Sequence, residues 1–461
     1  MSVPPADLIS AEGRGKPHLL YFAIGFPPAA KSCAYRMRET ANQFVAHGWR
    51  VTVVTIEDES WMIDSGIDPT LSDPVDPRVE VVKLPLSRDD LETDLRKFSR
   101  ERALDPNGWL RRAREDVQDV FPDPVFGGWR PELEEAALRI HAENPVTLSM
   151  ASCVPYVQLA AIRRLYDDHQ VPYAVDFRDG WSLDVVEGVE AFLEDSPAGV
   201  WEARMLADAV AFWCVNDPIA EHYRRRYPDA RSRIHVVRNG YDADSVDLPS
   251  NRRDPDAPLV FGYLGTVTFP VPLLSKVLES WKAARAREPL LADATLEVRG
   301  HIGVGAHQGA NRHMEMLHEA AADGVVVGGP VPKGEVSDLY ARWNALLLII
   351  VGGKYVTSGK VYEYMATGLP VVSVHEREHD ASDLLDGHPL WTGAYGLNVE
   401  KLTDSFCRAA HMAVSATDEE LRAAKAHGAS YQRGAVMAPA VRELTELVLD
   451  ADAAAKVKVE S

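Results

Sequence analysis

The stretch SGKVYEYMATGLPVVSV, residues 358–374, places two residues that could bind a ligand at the start of a short predicted helix. The helix is expected to end at Gly368, and Pro370 then begins an apolar strand. Lys360 and Glu363 would share one face of the first turns. A helix N-terminus offers free N–H groups and a positive dipole, which suit phosphate. A carboxylate can accept two hydrogen bonds from a diol such as a ribose.

The same spacing has a simpler interpretation. Lysine and glutamate three residues apart often form a solvated pair on a helix surface. A capping box would require Ser or Thr three residues before Glu363, and that position is Lys360. From spacing alone, a nucleotide diphosphate site and a surface ion pair both remain open.

Composition limits the class of protein. The 461 residues are too many for one ordinary core, so two domains are expected, and the hydrophobic content of 46% is enough to fill them. A net charge of -20 argues against a nucleic-acid partner, which would need a basic face. An anionic small molecule is still compatible with this charge, because a few local cations are enough to bind it.

Several features favour the cytoplasm. The first residues, MSVPPADLISAEGRGKPH, lack the apolar segment and cationic leader of a signal peptide. The longest apolar run, ALLLIIV at 345–351, is too short to span a bilayer. The four cysteines are far apart and have no metal-ligand spacing, so reduced and mostly buried thiols are expected at Cys33, Cys153, Cys214 and Cys407.

Apolar runs alternate with helical patterns along the chain, which predicts parallel sheets covered by helices on both faces. The expected strands of the first half include HLLYFAI, RVTVVTI, VEVVKL, PVTLSMA, PYAVDFRD, AVAFWCV and RIHVVRNG. Those of the second half are LVFGYLG, TLEVRG, GVVVGG, ALLLIIV and LPVVSV. The fold class is therefore α/β, with two doubly wound Rossmann-like domains that face a cleft, and the cleft is the expected site.

The domain boundaries follow from this alternation. The N-terminal domain is expected at 17–245, with a charged insertion at about 88–130. A polar, proline-containing linker follows at 246–258. The C-terminal domain is expected at 259–430, and a final helix at 431–461 is expected to pack back on the N-terminal domain.

The signature SGKVYEYMATGLPVV resembles that of GT-B glycosyltransferases of family 4, the retaining, nucleotide-sugar-dependent group. Other matches occur in the same order as in that family: FPP before a helix that ends in HGWRVTVVT, then VDFRDGWS, IHVVRNGYD and VVVGGPVPKGEVSDLYARWNALLLI. They extend from about residue 17 to 375. The resemblance implies a C-terminal domain that binds the nucleotide sugar and an N-terminal domain that binds the acceptor.

The resemblance also implies residue roles. Glu363 matches the glutamate that holds the donor ribose, and the backbone near Val331 matches the loop that meets the base. The expected donor-binding residues are Glu363, Lys360, Ser358, Gly359, Tyr355, Thr357, Arg299, Val331 and Thr266. The expected catalytic residues are Asp179, Arg178 and Lys360. The loop after the first strand is expected on the acceptor side, through Ala29, Ala30 and Lys31.

The chain departs from the family pattern at two positions. Tyr355 stands where the first member of a glutamate pair is usual, which leaves the contact with the donor sugar open. Thr266 stands where an arginine for the diphosphate is usual, and no lysine follows until Lys276. Lys360, Ser358 and Arg299 would then have to neutralise the phosphates. For Arg299 a solvated side chain is an equal alternative.

Arg178 and Asp179, in VDFRDGW, are the candidates for chemistry on the acceptor side, with a buried ion pair that fixes the loop as the alternative. The family mechanism needs no metal, and neither a metal nor another cofactor is expected beyond the nucleotide sugar itself. The sequences DAD at 242–244 and DPD at 254–256 resemble the metal-binding DxD of the other glycosyltransferase fold. They flank or lie in the predicted linker rather than follow a buried strand, so they are interpreted as solvated.

The resulting prediction is an enzyme that moves a sugar to a hydroxyl acceptor with retention of configuration. The acceptor would be a small molecule, a glycan or a lipid-linked glycan. A sugar-nucleotide epimerase or hydrolase of the same fold, or a non-catalytic sugar-nucleotide-binding subunit, are the alternatives. The basic and Trp-containing part of 88–130 raises the question of membrane contact, which the interspersed acidic residues disfavour.

Overall fold

The computed structural model describes residues 15–460 except 65, 87–88, 244–245, 247, 249–256, 304–310, 376–377 and 396–397. In the first half, strands alternate with helices as predicted. The strands are β1 (His18–Phe22), β2 (Arg50–Ile56), β3 (Val79–Leu84), β4 (Leu148–Cys153), β5 (Tyr173–Phe177), β6 (Leu183–Asp184), β7 (Val189–Glu190), β8 (Ala211–Cys214) and β9 (Ile234–Val236). The helices are α1 (Cys33–Ala46), α2 (Asp58–Asp64), α3 (Arg100–Leu104), α4 (Pro106–Val120), α5 (Arg130–Glu143), α6 (Gln158–His169), α7 (Pro197–Asp208) and α8 (Asp217–Arg226).

The second half repeats the alternation. Its strands are β10 (Val260–Leu264), β11 (Thr295–Arg299), β12 (Val325–Gly328), β13 (Ala345–Ile349), β14 (Val371–His375) and β15 (Trp391–Tyr395). Its helices are α9 (Val271–Arg287), α10 (Arg312–Glu319), α11 (Val336–Arg342), α12 (Gly359–Thr367), α13 (Asp380–Leu385), α14 (Val399–Ser415) and α15 (Asp418–Ala429), and α16 (Arg433–Glu460) follows. Strand β15 was absent from the sequence prediction, as was the small β6–β7 hairpin.

Each half is built on one parallel sheet. Within the described residues, the first sheet has seven strands in the order β3-β2-β1-β4-β5-β8-β9, and the second has six in the order β12-β11-β10-β13-β14-β15. Apolar clusters cover both faces of each sheet, which explains why the central strands are continuous apolar runs rather than alternating ones. In both sheets the strand order reverses beside the first strand, which is where open parallel sheets bind ligands.

The segment 88–130, expected as an insertion, contributes α3 and α4 between β3 and α5. At the other end of the chain, α16 packs against α1, and its apolar face joins the core of the first sheet through Met437, Val441, Leu444 and Val448. The chain thus returns to the first domain after completing the second. Across the described residues, no helix combines the length and the apolar character needed to cross a membrane.

A buried ion pair fixes α1 over the first sheet. Arg36 donates from Nη2 to Asp176 Oδ1 over 2.6 Å and from Nε to Oδ2 over 2.9 Å. Its Nη1 donates to the carbonyl of Val237 over 2.7 Å. Both side chains are buried, so the two-pronged geometry and the extra bond are what compensate for the loss of water. This arrangement holds the start of α1 close to the ends of β5 and β9.

The chain crosses between the domains twice, and the two crossings run side by side. Tyr241 donates its N–H to the carbonyl of Tyr431, and Arg433 returns an N–H bond to the carbonyl of Tyr241. Gly240 has a φ of 63° there, and a side-chain Cβ would lie 2.5 Å from the oxygen of Tyr431. This close approach requires glycine and explains the Asn-Gly pair before the predicted linker.

The interpretation of Asp242 as a solvated linker residue is wrong. Its side chain is only 10% exposed and accepts bonds from Arg38 on α1 (2.9 Å), Arg433 on α16 (2.8 Å) and Lys333 of the second domain (2.8 Å). Burial by itself would raise the pKa of Asp242, but Arg433, Arg38 and Lys333 outweigh it and hold the pKa well below its usual range. Residue 244 and the sequence at 254–256 lie outside the described residues.

We predict that Asp242→Asn destabilises the protein at pH 7, because it leaves three cations facing each other without a counter-charge. Removing one partner of a buried ion network costs about 3–5 kcal/mol. The folded pKa is depressed, so the stabilisation is present above the unfolded value of 3.8 and is lost as the pH falls through the folded pKa.

Urea unfolding of wild type and Asp242→Asn at several pH values tests this. The difference in unfolding free energy should be constant above about pH 5 and shrink as the pH falls below about 4. The exposed pair of Arg164 and Asp168 offers a control, since Asp168→Asn should have little effect. An equal stability of wild type and Asp242→Asn at pH 7 would contradict the prediction.

Candidate functional site

A cavity of about 650 Å³ lies between the domains, where the carboxyl ends of the two sheets face each other. Its first wall is formed by the start of α1, the residues after β5 and the crossing at Asn239 and Gly240. Its second wall is formed by the residues after β10 and β13 and by the start of α12. Of the predicted site residues, it is lined by Arg178, Asp179, Thr266, Tyr355, Thr357, Ser358, Gly359, Lys360 and Glu363.

Helix α12 points its N-terminus into this cavity. Ser358 caps the helix by accepting a hydrogen bond from the N–H of Lys360, and Gly368 ends it in the left-handed conformation with φ 75°. On the opposite side, α12 packs against α15 and the core of the second domain, through residues such as Val361 and Met365. The helix is therefore anchored from behind, and its first turn faces the cavity.

Lys360, Glu363 and Tyr340 form a compact polar cluster at this helix end. Lys360 Nζ lies 2.8 Å from Glu363 Oε2, and the hydroxyl of Tyr340 donates to the same oxygen over 2.9 Å. Burial and the nearby Glu363 raise the pKa of Tyr340 far above its usual value, so the hydroxyl keeps its proton and donates it to the carboxylate. Both bonds use Oε2, and no hydrogen bond to Oε1 is found within the described residues.

Tyr340 was not among the residues predicted from sequence. It lies on α11, and only the packing of α11 beside α12 brings its hydroxyl to Glu363. Buried tyrosines usually find a partner for their hydroxyl, but the sequence does not indicate which partner.

The loop before α12 is bound to the first domain. Asn216 is buried and donates from Nδ2 to the carbonyl of Tyr355 and to Thr357 Oγ1, each over 2.9 Å. The hydroxyl of Thr357 donates to Asp380 Oδ2 over 2.6 Å. Arg238 of the first domain completes the network with two bonds to Asp380, at 2.9 and 3.0 Å. The geometry of the loop thus depends on both domains.

The ring of Tyr355 takes part in the same docking. It packs against the apolar cluster of the first domain, and it lies beside the β6–β7 hairpin, where a Cβ added to Gly188 would come within 3.4 Å of its Cε2. At the position where the resemblance implies an acidic side chain, this chain has a residue that connects the domains. The predicted contact with a donor sugar stays a prediction.

Arg178 and Asp179 follow β5 and line the opposite wall of the cavity. Arg178 donates from Nη2 to the carbonyl of Val154 over 3.4 Å, and Asp179 is exposed. The hydroxyl of Tyr156 donates to the backbone carbonyl of Asp179 over 3.4 Å, which supports the loop. The alternative of an ion pair between Arg178 and Asp179 is not found among the salt bridges of the described residues.

The loop after β1 contributes other residues than those predicted. Ala29 is buried in a bridge to Ile67, Ala30 donates its N–H to Gly66, and the ammonium of Lys31 lies 4.8 Å from the ring centre of Trp61. None of the three is part of the cavity lining, whereas Ser32, Cys33 and Tyr35 are. The start of α1 therefore reaches the cavity, three residues further along the chain than expected.

Arg299 and Val331 also lie outside the cavity lining. Arg299 donates from Nε to Glu297 Oε1 over 2.6 Å, on its own strand β11. Val331 packs against the core beside α11. Their predicted donor contacts stay predictions, without support from the shape of this cavity.

Comparison with known proteins agrees with this architecture. Residues 33–240 match the model of the glycosyl transferase 4-like domain. No curated protein sequence matches the chain. This match lies within the first domain and covers less than half of the chain.

Solved structures similar to this glycosyltransferase-like chain extend the likeness over both domains. Sucrose-phosphate synthase from Thermosynechococcus elongatus is 16% identical, with a TM-score of 0.55 over 97% of this chain and 100% of that one. The Anabaena protein HepE in complex with UDP is 12% identical, with a TM-score of 0.58 over 93% and 99%. A putative UDP-N-acetylglucosamine 2-epimerase from Listeria monocytogenes is 12% identical, with a TM-score of 0.53 over 94% and 96%. The predicted GT-B fold is confirmed, and the match of 33–240 to the glycosyl transferase 4-like model agrees with the resemblance to family 4.

One further sequence pattern in the glycosyltransferase-like chain concerns metals. His375 and His379, with Glu376 between them, have the H-E-x-x-H spacing of zinc peptidases. His375 ends β14 and His379 caps α13, so the two do not share one helix face as that motif requires. Among the described residues no group of three or more His, Cys, Asp or Glu side chains is arranged to hold a metal ion.

We predict that Asn216→Asp loosens the loop at 353–358 without removing the cap of α8. Asn216 Oδ1 caps α8 by accepting from the N–H of Ile219, and aspartate keeps that acceptor but loses both donors to the loop. Each lost hydrogen bond is worth about 0.5–1.5 kcal/mol, so the protection of these amides should fall.

Hydrogen exchange followed by mass spectrometry measures this. Asn216→Asp should speed exchange in 353–358 only, whereas Asn216→Ala should also speed exchange at the start of α8. Unchanged exchange of the loop in both variants would mean that Thr357 and Asp380 hold it alone.

Proposed function

We propose that the protein transfers a sugar from a nucleotide diphosphate sugar to a hydroxyl acceptor, with retention of configuration. The observation that carries this proposal is the N-terminus of α12, which brings Lys360, Glu363 and the hydroxyl of Tyr340 together at the wall of an interdomain cavity. A solvated surface pair, the alternative from sequence, does not explain why the carboxylate of Glu363 also accepts a hydrogen bond from the buried Tyr340.

The cluster has the chemistry that a nucleotide diphosphate requires. The first turn of α12 supplies N–H groups and a positive dipole, and Lys360 adds an ammonium close to them. Tyr340 and Lys360 occupy one oxygen of Glu363, so the other can accept from a ribose hydroxyl. The complex of HepE with UDP, a protein of the same fold, supports this class of ligand.

The opposite wall would bind the acceptor. Arg178 and Asp179 lie across the cavity from α12 within one lining, so an acceptor hydroxyl could be placed beside the bond that breaks. In a retaining transfer the leaving phosphate can take the proton of the acceptor, so the protein has to stabilise its charge and orient the acceptor. No metal and no covalent intermediate form part of this proposal.

A second function has a specific observation in its favour. The Listeria protein, a putative UDP-N-acetylglucosamine 2-epimerase, shares the fold across nearly its whole length. An epimerase or hydrolase would use the same donor site without an acceptor. The departures at Thr266 and Tyr355 keep a third alternative open, a subunit that binds a nucleotide sugar without turning it over.

We also propose a cytoplasmic location and a soluble acceptor or a glycan as the partner. Cys33, Cys153, Cys214 and Cys407 are all unpaired thiols, as is usual in reducing compartments.

One experiment separates the three functions. The purified protein is offered UDP-, GDP-, ADP- and dTDP-sugars, first in thermal unfolding and then in turnover assays with and without a panel of hydroxyl acceptors. A glycosyltransferase releases the nucleotide only with an acceptor, and NMR of the product reports the anomeric configuration. Turnover without acceptor would indicate the epimerase or hydrolase. A donor that stabilises the protein without turnover would indicate the binding subunit.

We predict that Glu363→Gln weakens donor binding by about tenfold or more, because a hydrogen bond to a charged group contributes roughly 1.5–3 kcal/mol. The amide keeps the size of the side chain but loses the charge that Lys360 and Tyr340 also contact. Calorimetry of wild type and variant with the nucleoside diphosphate of the preferred donor measures the change. Unchanged affinity in the folded variant would remove Glu363 from the site.

Lys360→Ala is expected to lower turnover more than it lowers affinity for the intact donor, since the leaving diphosphate needs a cation most as the bond breaks. Lys360→Met should not restore turnover, because it keeps the aliphatic stem without the charge. Adding Thr266→Arg to Lys360→Ala should restore part of the lost turnover. Steady-state kinetics test this, and near-wild-type turnover of both lysine variants would mean that the pair contributes only about 0.2–0.5 kcal/mol as a surface pair.

A further inference from the structure

The charges around the cavity are unevenly compensated. Its charged lining residues are Arg178, Asp179, Lys360, Glu363 and Arg433. Two of the three cations already have a carboxylate from the protein: Lys360 lies 2.8 Å from Glu363, and Arg433 lies 2.8 Å from Asp242. Glu363 reduces the charge that Lys360 can offer to a ligand, whereas Arg433 is held in the network that it forms with Asp242, Arg38 and Lys333.

Arg178 is different. It takes part in no salt bridge among the described residues, and the hydrogen bond from its Nη2 to the carbonyl of Val154 is long, at 3.4 Å. Its Nε is buried and has no hydrogen-bond partner within the part of the chain that the structure describes. Asp176, on the strand β5 that precedes Arg178, is already engaged by Arg36 and by the hydroxyl of Ser152. Burial opposes the charge of Arg178, but Cys33, Asp179 and Asp176 outweigh it and raise the pKa of the guanidinium. What Arg178 lacks is therefore an acceptor for its buried Nε, and an unmet buried donor is unfavourable unless a ligand oxygen accepts from it.

The surroundings of Arg178 favour an anion as that ligand. Helix α1 begins at the same wall, where Ser32 and Cys33 also line the cavity. Its first turn contains no acidic residue, and the side chain of Ser32 makes no capping hydrogen bond. The positive end of α1 therefore adds to the charge of Arg178. Among the described lining residues of this wall, Asp179 is the one carboxylate; it is exposed and forms no salt bridge with Arg178.

The second wall, as far as the structure describes it, lacks a comparable cation. Thr266 occupies the position after β10 where the family resemblance implies an arginine, and the lysine of α12 is paired with Glu363. The described lining cation that forms no salt bridge, Arg178, lies on the first domain.

We propose that Arg178 binds a phosphate group of the substrate, and that this phosphate belongs to the diphosphate of the donor. The diphosphate is favoured over a phosphorylated acceptor because the N-terminus of α12 and Lys360 border the same cavity and suit the same group. The diphosphate would then be held from both domains, by Arg178 on one side and by α12 on the other. This inference rests on the proposed function. It gives Arg178 the phosphate-binding role that the family resemblance implies for an arginine at position 266.

Calorimetry with UDP, GDP, ADP and dTDP, each compared with its nucleoside, tests the assignment in the full-length protein. Arg178→Gln should weaken the nucleoside diphosphate that binds best by about tenfold to a hundredfold, the usual range for a lost charged hydrogen bond. Binding of the matching nucleoside, which has no phosphate, should stay unchanged. Arg178→Lys should lose less, because it keeps the charge but not the planar fork of donors.

Two further variants strengthen the test. Arg164→Gln is the matched control, since Arg164 is an exposed arginine on α6 that pairs with Asp168 and is not among the lining residues, and its affinities should equal those of wild type. Adding Thr266→Arg to Arg178→Gln should recover part of the lost affinity, because it returns a cation to the cavity from the opposite wall. Thermal unfolding of every variant confirms that it is folded.

A second arm distinguishes the source of the phosphate. Inorganic phosphate is titrated into the protein saturated with the nucleoside diphosphate. Equal diphosphate affinity in wild type and Arg178→Gln, together with phosphate binding that the variant loses, would overturn the assignment to the donor and place Arg178 on a phosphorylated acceptor. Equal affinities for both ligands would overturn phosphate binding by Arg178 altogether. If wild type binds no nucleoside diphosphate at all, the proposed function fails instead.

Discussion

The geometry of the cavity depends on how the two domains are held together, and Asp242 is central to that. One carboxylate accepts bonds from α1, from α16 and from the second domain, through Arg38, Arg433 and Lys333. The three cations come from distant parts of the chain, and the shared carboxylate offsets their mutual repulsion where the fold brings them together. The crossing between the domains, the returning helix and the second domain are therefore linked through a single residue.

A second set of contacts transmits this positioning to α12. Asn216 and Arg238 of the first domain hold Thr357 and Asp380 of the second, and Thr357 immediately precedes the cap residue Ser358. The start of α12 is thus fixed from the first domain by hydrogen bonds and from its own domain by apolar packing. A site built in this way is preorganised, because the orientation of the dipole and of Lys360 is set before a ligand arrives.

Both departures from the family pattern replace a charged side chain with an uncharged one. Tyr355 replaces an acidic side chain with a ring that packs on the first domain, and Thr266 replaces a cation with a small hydroxyl. The first change removes a negative charge from the second wall and the second removes a positive one. Arg178, on the first domain, is then the lining cation that forms no salt bridge among the described residues. The binding of a diphosphate would depend on the sum of the charges that line the cavity, rather than on the presence of each residue that the family pattern implies.

The sequence alone was sufficient for the fold and for the place of α12. Continuous apolar runs between helical patterns can be satisfied only by parallel sheets with helices on both faces, and Ser358 with Gly368 determines where α12 begins and ends, because these are local properties of the chain. Strand β15 was missed because WTGAY is short and contains a glycine in its middle. The partners of the site residues were decided by tertiary structure: Tyr340 at Glu363, Asn216 at Thr357 and the three cations at Asp242 come from segments far apart in sequence. Hydrogen bonds and ion pairs between distant segments leave no periodic trace in a sequence, so the electrostatic balance of the cavity appears only when the chain is folded.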